Sequence, residues 1–301
     1  MNVWAWLPLA MGTAVGETIR DLALRGVLRH TRFSTLQVIG LSSALSSLML
    51  LPVLWHDPLD VSWLAFFAAL SLGASLNTLA FWSYGRALAI GDLSLVLPLI
   101  NLSPLPLLLA GWWLLGERPG PAAVIGILLL VSGALLLGQT QGTGTKNHRP
   151  LGQLWTSPGC RAMLLVAFLW GISASVDKLG VLAGGSVLWV LALQGSIATS
   201  LLGLSLRPSP LSVESASTSQ RWFMGGLLAL LLAGASGAAG TVMQMEAIQQ
   251  TAVVHVIAIK RLSTLMSCGA GVLVLGEPAG RLRLAAAALM VLGAASVLYA
   301  A

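Results

Sequence analysis

The amino-acid sequence predicts an all-α, polytopic membrane protein of ten transmembrane helices, built as two inverted five-helix repeats. Three observations carry this expectation. First, the 301 residues are 56% hydrophobic and only 9% charged, whereas a soluble domain carries roughly 25% charged residues. Sixteen Lys and Arg with ten Asp and Glu are too few to clothe a water-soluble protein of this length, and the composition equally excludes disorder. Second, apolar stretches recur at the ~20 residues needed to cross a hydrocarbon core. Third, the second half of the chain repeats the first at a shift of 160 residues.

The spans are taken in order. Helix 1 is placed over 3–24; its N-terminal run, MNVWAWLPLAMG, has no basic n-region and no small-residue cleavage site, so it reads as a span and not as a signal peptide. That placement accepts Glu17, Arg20 and Asp21 inside the helix. Runs free of Asp, Glu, Lys and Arg place helices 2 to 5 over 36–55, 61–85, 93–116 and 119–145. They also place helices 7, 8 and 10 over 179–206, 222–245 and 284–301. Helices 6 (161–180) and 9 (252–275) are recovered by tolerating Asp177-Lys178 and Lys260-Arg261. Turn residues punctuate the gaps: His56-Asp57-Pro58, Gly91-Asp92, Gly116-Glu117-Arg118-Pro119, Arg207-Pro208-Ser209-Pro210 and Gly276-Glu277-Pro278. The longest polar segment, QTQGTGTKNHRPLGQLWTSPGC, spans 139–160. The expected organisation is a first repeat over 1–139, a linker over 140–160 and a second repeat over 161–301.

The repeat is explicit around helices 4 and 9. LSPLPLLLAGWWLLGE (102–117) aligns without a gap on LSTLMSCGAGVLVLGE (262–277), and the match continues at Gly120/Gly280 and Gly133-Ala134/Gly293-Ala294. Five helices per repeat is an odd number, so the second copy enters the membrane from the opposite side, a plan used by transporters that rock about a midplane site. On these residues, with Trp170-Gly171 at the start of the second half, the chain resembles the drug/metabolite transporter superfamily, EamA type. The resemblance covers essentially the whole chain. It implies a ten-helix bundle with a cavity formed by helices 1, 3, 4, 6, 8 and 9, and alternating access for a small organic solute. Ile259-Lys260-Arg261-Leu262 in helix 9 resembles the Lys-Arg pair with which phosphate-translocating relatives hold a phosphate. Those relatives add a lysine on helix 4; here the repeat puts Ile100 and Asn101 opposite Lys260 and Arg261, so that cation is missing.

Intramembrane charge is expensive, at least ~2.5–3.5 kcal/mol at mid-bilayer, and points to function by default. Lys260 and Arg261 lie a third of the way into helix 9, and a guanidinium fork beside an ammonium suits a carboxylate or phosphate. The bland alternative is a structural ion pair with Asp177 or Glu246, or snorkelling to an interface. Asn77, Tyr84, Asn101 and Lys178 are the further substrate-binding candidates, with Trp82 and Tyr84 also readable as interfacial belt residues. Glu17, Arg20, Asp177, Glu246 and His255 are the coupling or gating candidates; Arg20 and Asp21 are also readable as marking the end of helix 1. Pro98, Pro104 and Pro106 make helix 4 the candidate for a bent, cavity-lining helix.

Two other functions are weighed. Glu17 as an exchanging carboxylate gives a proton-coupled exporter of cationic or neutral drugs or amino acids. Gly234-Ala235-Ser236-Gly237 matches the GxSG of a rhomboid-type intramembrane serine protease, with His255 following, but also reads as a small-residue packing surface. No catalytic residue is assigned. Two cysteines, Cys160 and Cys268, and four scattered histidines offer no metal-ligand spacing, and no cofactor is expected. Scattered basic residues give no nucleic-acid signal. The expected partners are a small-molecule substrate, the bilayer, and a coupling proton or counter-substrate, for a monomer or homodimer in a bacterial inner membrane. The basic residues of the odd-numbered loops place those loops in the cytoplasm and both termini outside.

Overall fold

A computed structural model describes residues 5–31, 33–55, 60–90, 96–139, 157–206, 220–275 and 281–300, and no strand occurs among them. The elements are α1 (Trp6–His30), α2 (Thr35–Leu54), α3 (Trp63–Ile90), α4 (a 3₁₀ turn Leu97–Leu102 followed by α-helix Pro104–Leu115) and α5 (Pro121–Gln139). They continue with α6 (Pro158–Gly184), α7 (Ser186–Ser205), α8 (Gln220–Gln250), α9 (Val253–Lys260 followed by Leu262–Leu275) and α10 (Arg281–Ala300). Among the described residues, six are both long and apolar enough to cross a membrane: α2, α3, Pro98–Leu115 of α4, α6, α7 and Met224–Gln250 of α8. Their exposed side chains include large apolar ones, as at Leu64, Leu182 and Leu228, which suits a lipid-facing surface. The chain is an integral, multi-pass membrane protein.

Local sequence sets the helix ends. Ser34 and Gln37 form a reciprocal capping box at the start of α2, with Ser34 N–H donating to Gln37 Oε1 (2.9 Å) and Gln37 N–H donating to Ser34 Oγ (3.3 Å). Proline opens α5 and α6, where its missing N–H costs nothing. Gly116, at φ +67°, closes α4, and Glu117 N–H donates back to Gly111 O (3.1 Å).

Two differences from the sequence reading matter. The helix predicted over 3–24 continues to His30, so Arg20 and Asp21 lie inside α1 and not at its end. Likewise α9, predicted as continuous, is interrupted at Arg261.

The chain divides into two compact units. The first holds Met1–Phe81 and Val176–Gln250. Within it α1 packs on α8, and α2 packs on both α7 and α8. Small residues let these backbones approach: a Cβ on Gly16 would lie 3.0 Å from Gly240 Cα. Hydroxyls stitch the contacts, Thr13 Oγ1 donating to Gly240 O (3.1 Å), Ser46 Oγ to Gly234 O (2.8 Å) and Ser47 Oγ to Leu191 O (2.9 Å). The end of α6 fits Gly184 against Phe66 and Gly180 against Trp189.

The second unit holds Trp82–Ser175 and Thr251–Ala301. One buried cluster in it comprises Ala87, Val96, Leu99, Cys160, Met163 and Val166. There α5 and α10 pack through Gly126, Gly133 and Gly293, and Ser296 Oγ donates to Ala122 O (2.7 Å). Each unit thus draws helices from both sequence repeats: α1 and α2 with α7 and α8, and α4 and α5 with α9 and α10. The linker residues 140–156 and the second LGE turn, Gly276-Glu277, lie outside the described residues.

Candidate functional site

The second unit contains two broken helices at equivalent places of the repeat. In α4 the prolines remove donors, and the turn tightens to 3₁₀ before Pro104 restarts the α-helix. In α9 no proline intervenes; Arg261 N–H is shared between Ile257 O (3.2 Å) and Ala258 O (3.1 Å), and Thr264 N–H donates to Arg261 O (3.1 Å). This i→i+3 tightening breaks the element without a sequence punctuation mark. By the 160-residue shift, position 101 corresponds to 261, so the two breaks fall within two residues of one another in the repeat.

Polar side chains join the two breaks. Arg261 Nη2 donates to Ser103 Oγ, and Thr264 Oγ1 donates to Asn101 Oδ1 at 3.0 Å. Asn101 Nδ2 donates to Pro98 O (3.2 Å), within the 3₁₀ turn. Asn101 and Ser103 are buried, at 2% and 1% exposure, whereas Lys260 and Arg261 are partly exposed. Lys260 occupies the last turn of Val253–Lys260, where the helix dipole favours a cation. At the other end of that segment, Glu117 Oε2 accepts from Val253 N–H (2.9 Å), so the glutamate of the LGE turn caps the opening of α9. On the neighbouring α6, Gly171 lies against Pro106, Ser103 O and Leu107 N, which leaves no space for a side chain. Next to it Trp170 packs with Tyr84, ring centroids 6.0 Å apart, and both rings, like Ile100 and Leu102, pack against the buried cluster around Leu99.

The other candidates of this unit are placed separately. His255 is buried, its Nδ1 3.0 Å from Thr251 Oγ1. Trp82 is exposed, with Arg86 Cζ 5.7 Å from its ring centroid.

Five candidates and Asn77 belong to the first unit. Glu17 and Arg20 are one turn apart near the middle of α1, and both Asp21 and Glu17 act electrostatically on the Arg20 guanidinium. Arg20 Nε is buried with no hydrogen-bond partner among the described residues, and its Cδ would lie 3.4 Å from a Cβ on Gly237. Asp177 is buried and accepts from the Trp189 indole N–H at 3.3 Å; Lys178 is partly exposed. Asn77 Nδ2 donates to Gly73 O of its own helix (2.9 Å). Glu246 is partly exposed on α8. Ser236, the serine of the GxSG pattern, donates to Leu232 O (2.7 Å) within α8, and its neighbours Gly234 and Gly237 receive Leu45 and Ser46 of α2.

The sequence reading therefore named Arg261 and Asn101 but missed their partners Ser103 and Thr264. The signal available was the identity of Ser103 and Ser263 in the repeat, which marks the break but not the bond. Glu117 was read as part of a turn, and its capping contact lies 136 positions away.

Comparison with known proteins gives a consistent result. The model of the EamA-like transporter family matches residues 4–139 and 157–299. A search of curated proteins returns no match. Among solved structures, one described only as "Crystal structure of protein" has a TM-score of 0.77 at 17% sequence identity. The similarity covers 98% of this chain and 97% of that one, and at such identity it speaks for the fold alone.

Proposed function

Since the chain belongs to the EamA-like transporter family and is therefore a transporter of small solutes, we propose that its solute is a small organic anion. The observation that carries this reading is the position of Arg261: a guanidinium set at the break of α9, about 12 Å along the helix from Val253, and bonded to the break of α4. A charge so deep in a hydrocarbon layer calls for a ligand or a counter-ion. Broken helices near the midplane are where transporters of inverted-repeat plan place their substrates. Here the segments Pro104–Leu115 and Leu262–Leu275 both begin at the breaks, so their positive ends add to the field of Lys260 and Arg261. Tyr84 and Asn101 shape this site. Translocation proceeds by alternating access in the inner membrane of a bacterium.

The test is uptake into liposomes of a panel of phosphate esters and carboxylates, with wild type compared with the Lys260→Ala, Arg261→Ala double variant. The expected outcome is a loss of at least about tenfold in uptake of the accepted anion, the effect of removing charge-assisted hydrogen bonds. Unchanged uptake of every anion by the double variant overturns the reading. Glu17, near the middle of α1, favours a second reading, proton-coupled export of cationic or neutral compounds. That reading predicts instead a preference for cations, a steep pH dependence and inactivity of Glu17→Gln. The proximity of Arg20 to Glu17 weighs against it, because a cation one turn away repels a cationic solute.

A further inference from the structure

We infer that Ser103 is a positioning residue of the anion site, acting through Arg261; this rests on the anion reading above. Ser103 is buried at the break of α4, and its hydroxyl accepts from Arg261 Nη2. Its main chain is held on both sides: Ser103 N–H donates to Ile100 O (3.2 Å), Leu107 N–H donates to Ser103 O (3.3 Å), and Gly171 of α6 closes over the carbonyl. The acceptor offered to Arg261 is thus a fixed point. Arginine has among the largest side-chain entropies to lose on ordering, and its planar fork binds a carboxylate or phosphate well only in one orientation. A hydroxyl that sets this orientation before the solute arrives removes that cost from binding.

Exposure differs between the two partners. Ser103 is 1% exposed, whereas Arg261 and Lys260 are partly exposed as residues, with the Arg261 Nε itself buried. The second bond between the breaks, from Thr264 to Asn101, keeps the two main chains in register, so the Ser103 to Arg261 distance does not depend on the long side chain alone. Asn101 stands where the repeat would place a second arginine, and both ends of its amide are spent, on Thr264 and on Pro98. One break therefore carries the cation and the other carries its support.

The experiment uses the full chain purified in detergent, titrated by calorimetry with inorganic phosphate and with succinate. Five forms are compared: wild type, Ser103→Ala, Ser103→Thr, Arg261→Ala and the Ser103→Ala, Arg261→Ala pair. Ser103→Ala is expected to weaken the better anion on the order of tenfold, as loss of one hydrogen bond to a charged group does. Ser103→Thr keeps the hydroxyl and recovers most of that loss. In the Arg261→Ala background, Ser103→Ala produces no further weakening, the signature of a residue that acts through another. Equal losses in both backgrounds overturn the inference, as does an unchanged affinity accompanied by a lower melting temperature, which marks a merely structural cross-link. Failure of the anion reading looks different: wild type binds neither probe, or Arg261→Ala binds as wild type does, and the inference falls with it.

Discussion

Asp177 shows what a buried carboxylate in this chain does when its partner is known. Its Oδ1 receives the indole N–H of Trp189, a fully buried ring that also meets Phe66 edge-on at 5.7 Å. Removing the acceptor strands a donor in an apolar core, which costs about 1–3 kcal/mol. Asp177→Ala is therefore expected to lower stability by that amount, measured by thermal unfolding in detergent, while Asp177→Asn keeps an acceptor and loses less than half as much. Equal loss in the two variants would mean that the charge, and not the hydrogen bond, is what the site needs. At this scale the sequence was informative about which residues are exceptional and silent about what they touch. Scarcity of charge made Asp177, Arg20 and Arg261 visible, because each has to be explained at its depth. The partner Trp189 lies 12 positions from Asp177, beyond the glycine turn at Gly184-Gly185, and Ser103 lies 158 positions from Arg261. Such pairings are set by tertiary packing, which no local pattern records.

Among the elements, the glycines separate three physical cases that look alike in the sequence. Gly116 needs its left-handed φ of +67°, yet a Cβ there meets nothing within 4 Å. Gly126 has ordinary helical geometry, but a Cβ would press on Gly293 O at 2.6 Å, in the contact of α5 with α10. Gly120 has neither constraint. The expected order of destabilisation for substitution by Ala is Gly126 at about 1–3 kcal/mol from overpacking, then Gly116 at about 1–2 kcal/mol from backbone strain, then Gly120 within about 0.5 kcal/mol of wild type. Thermal unfolding of the three variants checks the order, and a Gly120→Ala loss equal to that of Gly126→Ala would defeat the explanation. Helix breaks follow the same division between visible and hidden causes. Pro98, Pro104 and Pro106 announce the break in α4, because each removes a donor. The break in α9 comes from 3₁₀ bonds gathered at Arg261, where no proline or glycine gives warning.

Over the whole molecule, the duplicated plan makes a demand on charge that single helices do not. Two repeats of similar sequence must insert in opposite senses, so corresponding loops need opposite basic bias. The chain meets this demand. The first loop of the first repeat follows Arg25 and Arg29 and includes Arg32, whereas its counterpart in the second repeat is the uncharged Gly184-Gly185 turn. The second loop reverses the sign: Asp57 and Asp60 in the first repeat answer to Arg207 and Arg221 in the second. Although α1 extends to His30, so that Arg25 and Arg29 sit in its last turns, they remain at the same end of the span and close enough to count. With Lys146 and Arg149 between α5 and α6, and Arg281 and Arg283 at the start of α10, the basic residues gather on the odd-numbered loops. An even number of spans puts both termini on one face, and the positive-inside rule applied to this distribution predicts that face to be the one opposite the cytoplasm. An alkaline phosphatase fused after Ala301 is thus expected to be active in a bacterial host, and the same enzyme inserted between Gln139 and Pro158 to be inactive. The reverse pattern would show that the basic loops face outward and that something other than Lys and Arg bias orients the two repeats.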